Sequence, residues 1–272
     1  DLLVQAHGGY VDIQNNIGFT AGNNNNVAVL SDLSYIKTKD FGYSAAGGAG
    51  KGHVTVWAKG ASSVNGGYIS IAGNLTTSST SSASSWQQLY TPLDKNAGNL
   101  AKLQSCISGD IMSAATTSAL ETRMQTRIQS DDDYITVTGG FSHTGKDGGL
   151  FVQGNKRVRI DGSTTIDFVT NSGIGDAVIQ SKSADVIFGS AFTYKGFQTS
   201  DLFIDGETGV TFNAGSSIEY ANTSASAHIG IQANAGTIAF SGQPFAFNNT
   251  STGNTHIWAG TNVTNASGAP LT

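Results

Sequence analysis

Tyr134-Ile135-Thr136-Val137 opens the most regular stretch of the chain, followed by Leu150-Phe151-Val152, Val158-Arg159-Ile160 and Ile166-Asp167-Phe168. Ala177-Val178-Ile179, Val186-Ile187-Phe188, Leu202-Phe203-Ile204 and Val210-Thr211-Phe212 continue it. Ile218-Glu219-Tyr220, Ile229-Gly230-Ile231, Ile238-Ala239-Phe240, Phe245-Ala246-Phe247 and His256-Ile257-Trp258 close it. Most of these runs start about 7–12 residues apart, with Gly, Asn or Ser between, which predicts many short strands of a sandwich, barrel or solenoid. Two features favour stacked strands. Only 3 prolines occur, and proline interrupts backbone ladders. Small-residue corners such as Asp161-Gly162-Ser163, Asn213-Ala214-Gly215-Ser216 and Asn234-Ala235-Gly236 suit a coil that turns sharply at each rung. No fixed period is visible, so an irregular β-solenoid and stacked β-arches in a sandwich both fit.

Towards the N-terminus the strand signal is sparser. Residues 1–75 read as an N-terminal β region, with Asn23 to Asn26 as a loop. His53-Val54-Thr55-Val56-Trp57 and Tyr68-Ile69-Ser70-Ile71 alternate with period two around Val64-Asn65-Gly66-Gly67, which predicts an antiparallel hairpin. Residues 76–133 read as a Ser/Thr-rich loop (76–85) followed by a helical insertion around 98–130. Leu100, Leu103, Ile107, Ile111, Leu120, Met124 and Ile128 fall mostly three or four apart. Ser118 and Glu121 have capping-box spacing for a helix ending near Ser130. Arg123 and Arg127 would then lie on its solvated face, with Asp131-Asp132-Asp133 in the loop beyond. Residues 134–272 form the C-terminal β region.

The chain has 272 residues with a formal net charge of −5, and only 12 % are charged, about half the usual share. An acidic chain without a basic face argues against a nucleic-acid partner. No apolar run is long enough for a membrane-spanning helix. The start, Asp1-Leu2-Leu3-Val4-Gln5, lacks Met and an apolar signal core, so a processed or excised chain is expected. Cys106 is alone, which excludes an internal disulfide. It reads as a small buried residue, with an inter-subunit bond as the alternative.

The run Thr208-Gly209-Val210-Thr211-Phe212-Asn213-Ala214-Gly215-Ser216-Ser217-Ile218 resembles rungs of secreted β-solenoid surface proteins: sheath and surface-layer proteins, filamentous adhesins and phage tail fibres. The likeness covers roughly residues 134–272 and is one of composition and strand style. It implies an extracellular, cell-surface or virion-surface location and a structural or adhesive role. It carries over no functional residue. Six sequons, at Asn74, Asn222, Asn248, Asn249, Asn262 and Asn265, are candidate glycan sites, or simply turn asparagines.

No catalytic, cofactor or metal residue stands out. Asp201 and Asp205, with Glu207 and Glu219 nearby, are the best carboxylate candidates for glycoside cleavage, but residues four apart on one strand are about 13 Å apart. Gly140-Phe141-Ser142-His143-Thr144 lacks the closing Gly of a nucleophile elbow. His7, His53, His143, His228 and His256 have no metal spacing, and Asp131–Asp133 lacks a calcium-loop pattern. Gly47-Gly48-Ala49-Gly50-Lys51-Gly52 lacks the Walker pattern, and Thr136-Val137-Thr138 is an unrepeated Thr-x-Thr.

Sparse charge points to assembly. Val210–Tyr220, Ile229–Ile231 and Ile238–Phe247 carry almost no charge, so their edges, if exposed, would pair with another chain. Leu2, Leu3 and Val4 could be lent to a neighbour as a strand. The expected function is a non-enzymatic subunit of a sheath, surface layer, filament or fibre that self-associates through strand edges, with copies of itself as partners. The alternatives are an adhesin or carbohydrate-binding module, with Trp57, Trp86, Trp258 and tyrosines as platforms, and a polysaccharide-cleaving β-helix.

Overall fold

A computed structural model describes residues 2–21, 27–45, 54–60, 66–79, 124–145, 149–170, 175–198, 200–220, 227–242, 245–248, 253 and 255–265. These form a parallel β-solenoid. Its first coil is β1 (Leu2–Ala6), β2 (Val11–Ile13) and β3 (Ile17–Ala21). The second is β4 (Val27–Ser31), β5 (Ile36–Thr38) and β6 (Phe41–Ala45), and the third β7 (Val54–Ala58), β8 (Ile69–Ile71) and β9 (Leu75–Ser79). The fourth is β10 (Met124–Ser130), β11 (Ile135–Val137) and β12 (Phe141–Thr144), and the fifth β13 (Gly149–Gly154), β14 (Val158–Ile160) and β15 (Thr164–Asp167). The sixth is β16 (Ala177–Ser181), β17 (Asp185–Phe188) and β18 (Phe192–Gly196), and the seventh β19 (Leu202–Gly206), β20 (Gly209–Phe212) and β21 (Ser216–Tyr220). The last two are β22 (Ile229–Ala233), β23 (Thr237–Phe240) and β24 (Phe245–Asn248), then β25 (Thr255–Ala259) and β26 (Val263–Asn265).

Each position in the coil builds one sheet. Sheet A runs β1-β4-β7-β10-β13-β16-β19-β22-β25, sheet B β2-β5-β8-β11-β14-β17-β20-β23-β26, and sheet C β3-β6-β9-β12-β15-β18-β21-β24. Every pair is parallel, as in Ile135↔Val158 and Phe192↔Ser216. Inward residues stack in columns along the axis. Val27, Val54, Thr126, Leu150, Ala177, Leu202 and Ile229 form one buried column, apolar at every position but Thr126. A second runs through Phe188, Phe212 and Phe240, whose rings stack at 5.0 and 5.4 Å. Burying each Val, Leu, Ile or Phe of these columns contributes about 1.5–3 kcal/mol. Sheet A is buried on its outer face too, from β4 to β22. That explains its unbroken apolar runs such as Val27-Ala28-Val29-Leu30, where a half-exposed sheet would alternate.

The structure corrects several expectations. Residues 124–130 form β10 rather than the end of a helix: Ile128 faces the core, and the pairing Ile128↔Val56 and Ile128↔Val152 fixes the register. A spacing of four satisfies a strand's period of two as well as a helical stripe. No helix occurs among the described residues, and residues 80–123 lie outside them. The expected Ser/Thr loop is strand β9 as far as Ser79.

The segments around Asn65-Gly66 make no hairpin. β7 and β8 belong to different sheets, and Gly66 and Gly67 lead into β8 at a corner of the coil, while residues 61–65 lie outside the described ones. Gly66 has φ +68, and a Cβ on Gly67 would lie 2.5 Å from Gly60 Cα. Left-handed backbone and close approach serve a corner as well as a hairpin. Finally, Val210–Tyr220, Ile229–Ile231 and Ile238–Phe240 are not free edges. β20, β21, β22 and β23 are each paired on both sides within the chain.

Candidate functional site

Two features of the surface stand out: a groove along sheet B and the bare end coils. The groove begins with a repeated corner. Tyr10, Tyr35, Tyr68 and Tyr134 each immediately precede a strand of sheet B, in Tyr10-Val11, Tyr35-Ile36, Tyr68-Ile69 and Tyr134-Ile135. The register therefore stacks the rings along the axis. Their centroids are 4.7, 4.9 and 4.9 Å apart and their planes within 8 to 11° of parallel. The repeat is set by the strand spacing. Arg157 takes the next position, before β14, and Asp185 the one after, starting β17; Arg157 Nε donates to Asp185 Oδ1 at 2.6 Å.

Three-residue strands point only their middle side chain outward. Asp12, Lys37, Ser70, Thr136 and Arg159 form that column in register. It is the floor beside the tyrosine wall. Lys37 Nζ sits 4.8 Å from the Tyr35 ring centre and 5.5 Å from that of Tyr68. A hydrogen bond to Tyr68 raises the Lys37 pKa, and desolvation raises those of Tyr35 and Tyr134. Two clefts lie over this floor. One of about 260 Å³ includes Asp12, Gln14, Lys37, Lys39 and Ser70. The other, about 490 Å³, includes Asp133, Tyr134, Thr136, Lys156, Arg157 and Arg159.

The end coils differ from the interior. In the first coil the core-facing Leu2, Val4, Ile13, Ile17 and Phe19 are only half-buried, and in the last coils so are Phe247, Ile257 and Ala259. Leu3 and Tyr10 are 53 % and 55 % exposed, Trp258 and Val263 43 % and 47 %. Among the described residues β1, β2 and β3 each pair on one side only, as do β24, β25 and β26.

The sequence candidates scatter. Leu2, Leu3 and Val4 lie on β1, at the edge of sheet A. Cys106, Trp86, Arg123, Asn222 and Asn249 lie outside the described residues, as do residues 47–52 and His53. Asn74 is exposed, with its side-chain oxygen accepting from Gly140 N at 2.8 Å. Asn248 and Asn262 are exposed and Asn265 half-buried, all on the last two coils. Asp201 and Asp205 are buried. Asp201 Oδ1 accepts from His228 N at 2.6 Å, and Asp205 accepts from Gln180 and Asn234. Glu207 accepts from Asn234 at 2.9 Å, and Glu219 is exposed on sheet C.

Arg127 is not on a solvated helix face. It is 1 % exposed on β10, its guanidinium 4.2 Å from the Trp57 ring centre and its Nε donating to Gln129. Trp57, expected as a platform, is buried, and its Nε1 donates to Asp131 at 2.7 Å. Among the described residues no group of three or more His, Cys, Asp or Glu is placed to hold a metal. The sheet B groove was missed, although the recurrence of Tyr before Val/Ile-x-Ile or a similar triplet at residues 10, 35, 68 and 134 was legible.

Comparison of the chain with protein-family models, curated proteins and solved structures finds no match.

Proposed function

We propose that the chain is a structural β-solenoid subunit that associates with copies of itself through the strands of its end coils. The carrying observation is the half-buried state of Leu2, Val4, Ile13, Ile17 and Phe19, whose counterparts Val27, Val29, Thr38, Phe41 and Tyr43 one coil inward are buried. Laying a further coil over them would remove apolar surface from water at about 25 cal/mol per Å². It would also pair the open side of β1, β2 and β3. These strands lack the usual protection of an edge: they contain neither Lys nor Pro, and Asp12 is their one charge. At the other end β24, β25 and β26 contain no Lys, Arg, Asp, Glu or Pro. Head-to-tail stacking of this kind is heterologous and builds open filaments. An extracellular or surface location belongs to the same reading, because a low-charge, Ser/Thr/Asn-rich solenoid suits a passive scaffold. Negative-stain microscopy of the purified chain tests it: rods one solenoid wide are expected, and single particles at all concentrations overturn it.

A further inference from the structure

We infer that the groove along sheet B is a binding site for an uncharged linear polysaccharide. This goes beyond the scaffold role and does not depend on it, since the groove runs along the side of the solenoid, away from the end coils.

Shape comes first. The two clefts share one floor, Asp12-Lys37-Ser70-Thr136-Arg159, which crosses five successive strands of sheet B. Its middle is made of the short Ser70 and Thr136, so the floor is low where the clefts approach each other. The tyrosine column repeats beside it every 4.7 to 4.9 Å. An open trough offering the same group coil after coil suits a polymer with a short repeat, whereas a compact ligand favours an enclosed pocket. An extended peptide would seek the backbone groups of a sheet edge, and here the floor strands are paired on both sides from β5 to β14.

Charge selects the chemistry. Lys156 pairs with Asp133 at 3.3 Å, Arg157 with Asp185 at 2.6 Å and Arg159 with Asp161 at 2.6 Å. Each pair is locally neutral, which removes the attraction for a polyanion. Each still presents directional groups, because a guanidinium has five N–H donors and a carboxylate several acceptor sites. Arg159 commits its Nε to Asp161, and the rest of the fork is directed by that contact. Sugar hydroxyls both donate and accept, so neutral rows of fixed donors, acceptors and tyrosine edges match them. In the smaller cleft Asp12 offsets one of the two cations, Lys37 and Lys39, and Lys37 is turned onto the Tyr35 and Tyr68 rings, so the salt dependence of binding is what separates a neutral chain from an anionic one.

The test is isothermal titration calorimetry on the full chain with cellohexaose, xylohexaose, mannohexaose and chitohexaose, and with polygalacturonate as the anionic comparator. Binding of at least one neutral oligosaccharide, unchanged from low to high salt, is expected. Tyr134→Ala and Arg159→Ala should each weaken it at least about tenfold. Thr136→Trp, which fills the trough, should abolish it with far-UV circular dichroism unchanged. Thr165→Ala, on the outer face of sheet C, should leave it intact. The inference falls if no neutral oligosaccharide binds. It also falls if only polygalacturonate binds with the salt sensitivity of an ionic contact, or if binding survives Thr136→Trp. Sedimentation of the same samples records assembly separately, so glycan binding by a lone particle overturns the scaffold reading and leaves the groove standing.

Discussion

Tyr68 and Tyr134 are separated by residues 69–133 in the sequence, yet their rings stack at 4.9 Å, 11° from parallel. The third and fourth coils are thus joined as closely as any others: β7 pairs with β10, β8 with β11 and β9 with β12. What determines the contact is position within the coil, not distance along the chain.

Tyr68 has a stacked neighbour on each side, Tyr35 and Tyr134. Aromatic pairs contribute about 0.5–1.5 kcal/mol each beyond area burial. Tyr68→Ala should therefore destabilise the fold by about 1–3 kcal/mol, and Tyr10→Ala, with one neighbour and high exposure, by less. Urea unfolding followed by circular dichroism measures both; equal effects would show that the column contributes nothing as a stack.

His143 faces the core from β12, fully buried. Its Nδ1 lies 2.8 Å from Thr77 Oγ1 and its ring edge-on to Phe168. Desolvation holds its pKa down at about 4, against an ordinary 6.5. The unfolded chain then binds a proton that the folded chain refuses between those values. This contribution is complete above about pH 6.5 and is lost as pH falls towards about 4, a total of about 3 kcal/mol. His143→Leu should flatten that part of the stability–pH curve, which urea titrations across the window will show. An unchanged slope would contradict the assignment.

Gly145 sits against the same pair. A Cβ there would lie 2.6 Å from the Phe168 ring and 2.7 Å from His143 Nε2. Gly145→Ala should cost about 1–3 kcal/mol through overpacking, readable as a lower unfolding midpoint. A neutral or stabilising result would mean that the ring of Phe168 yields freely.

Outside sheet A runs a column of buried amides. Gln153 Nε2 donates to Gln180 Oε1 at 2.7 Å, and Gln180 Nε2 to Asp205 Oδ2 at 2.9 Å. Gln180→Leu keeps the volume and removes both bonds, leaving the Gln153 amide without this acceptor. A loss of about 2–4 kcal/mol is expected in chemical denaturation, and a stability equal to the parent would show that the ladder is energetically idle.

The strand triplets after Tyr134 were legible because three-residue strands with two inward positions read directly as apolar-x-apolar: Ile135-Thr136-Val137 is β11 and Val158-Arg159-Ile160 is β14. The period was not legible, because partners are offset by 25 residues at Gln180 and Asp205 but by 27 at Gln153 and Gln180. Corner loops absorb the difference, so the coil repeats in space and not in sequence. β10 was misread since Leu120, Met124 and Ile128 match both periods. The corner at Gly66 was hidden because a left-handed glycine serves hairpins and corners alike. Of the groove, the tyrosines were visible as a recurring local pattern, but Arg157 and Arg159 join them only through the register of β11 and β14.

The end coils carry the central claim. Val4 on β1 faces inward and is half-buried, whereas its partner Val29 is 1 % exposed. Val4→Asp, or deletion of residues 1–6, places a charge at or removes the joining surface while β4 onwards stays intact. Either change should stop growth of the assembly without loss of the β circular-dichroism signal.

Analytical ultracentrifugation of the parent chain over a rising concentration series tests this most directly. A sedimentation coefficient that climbs with concentration, and that reverts to one small species on deletion of residues 1–6, is the predicted result. A single species of about 28.0 kDa throughout the series would contradict it.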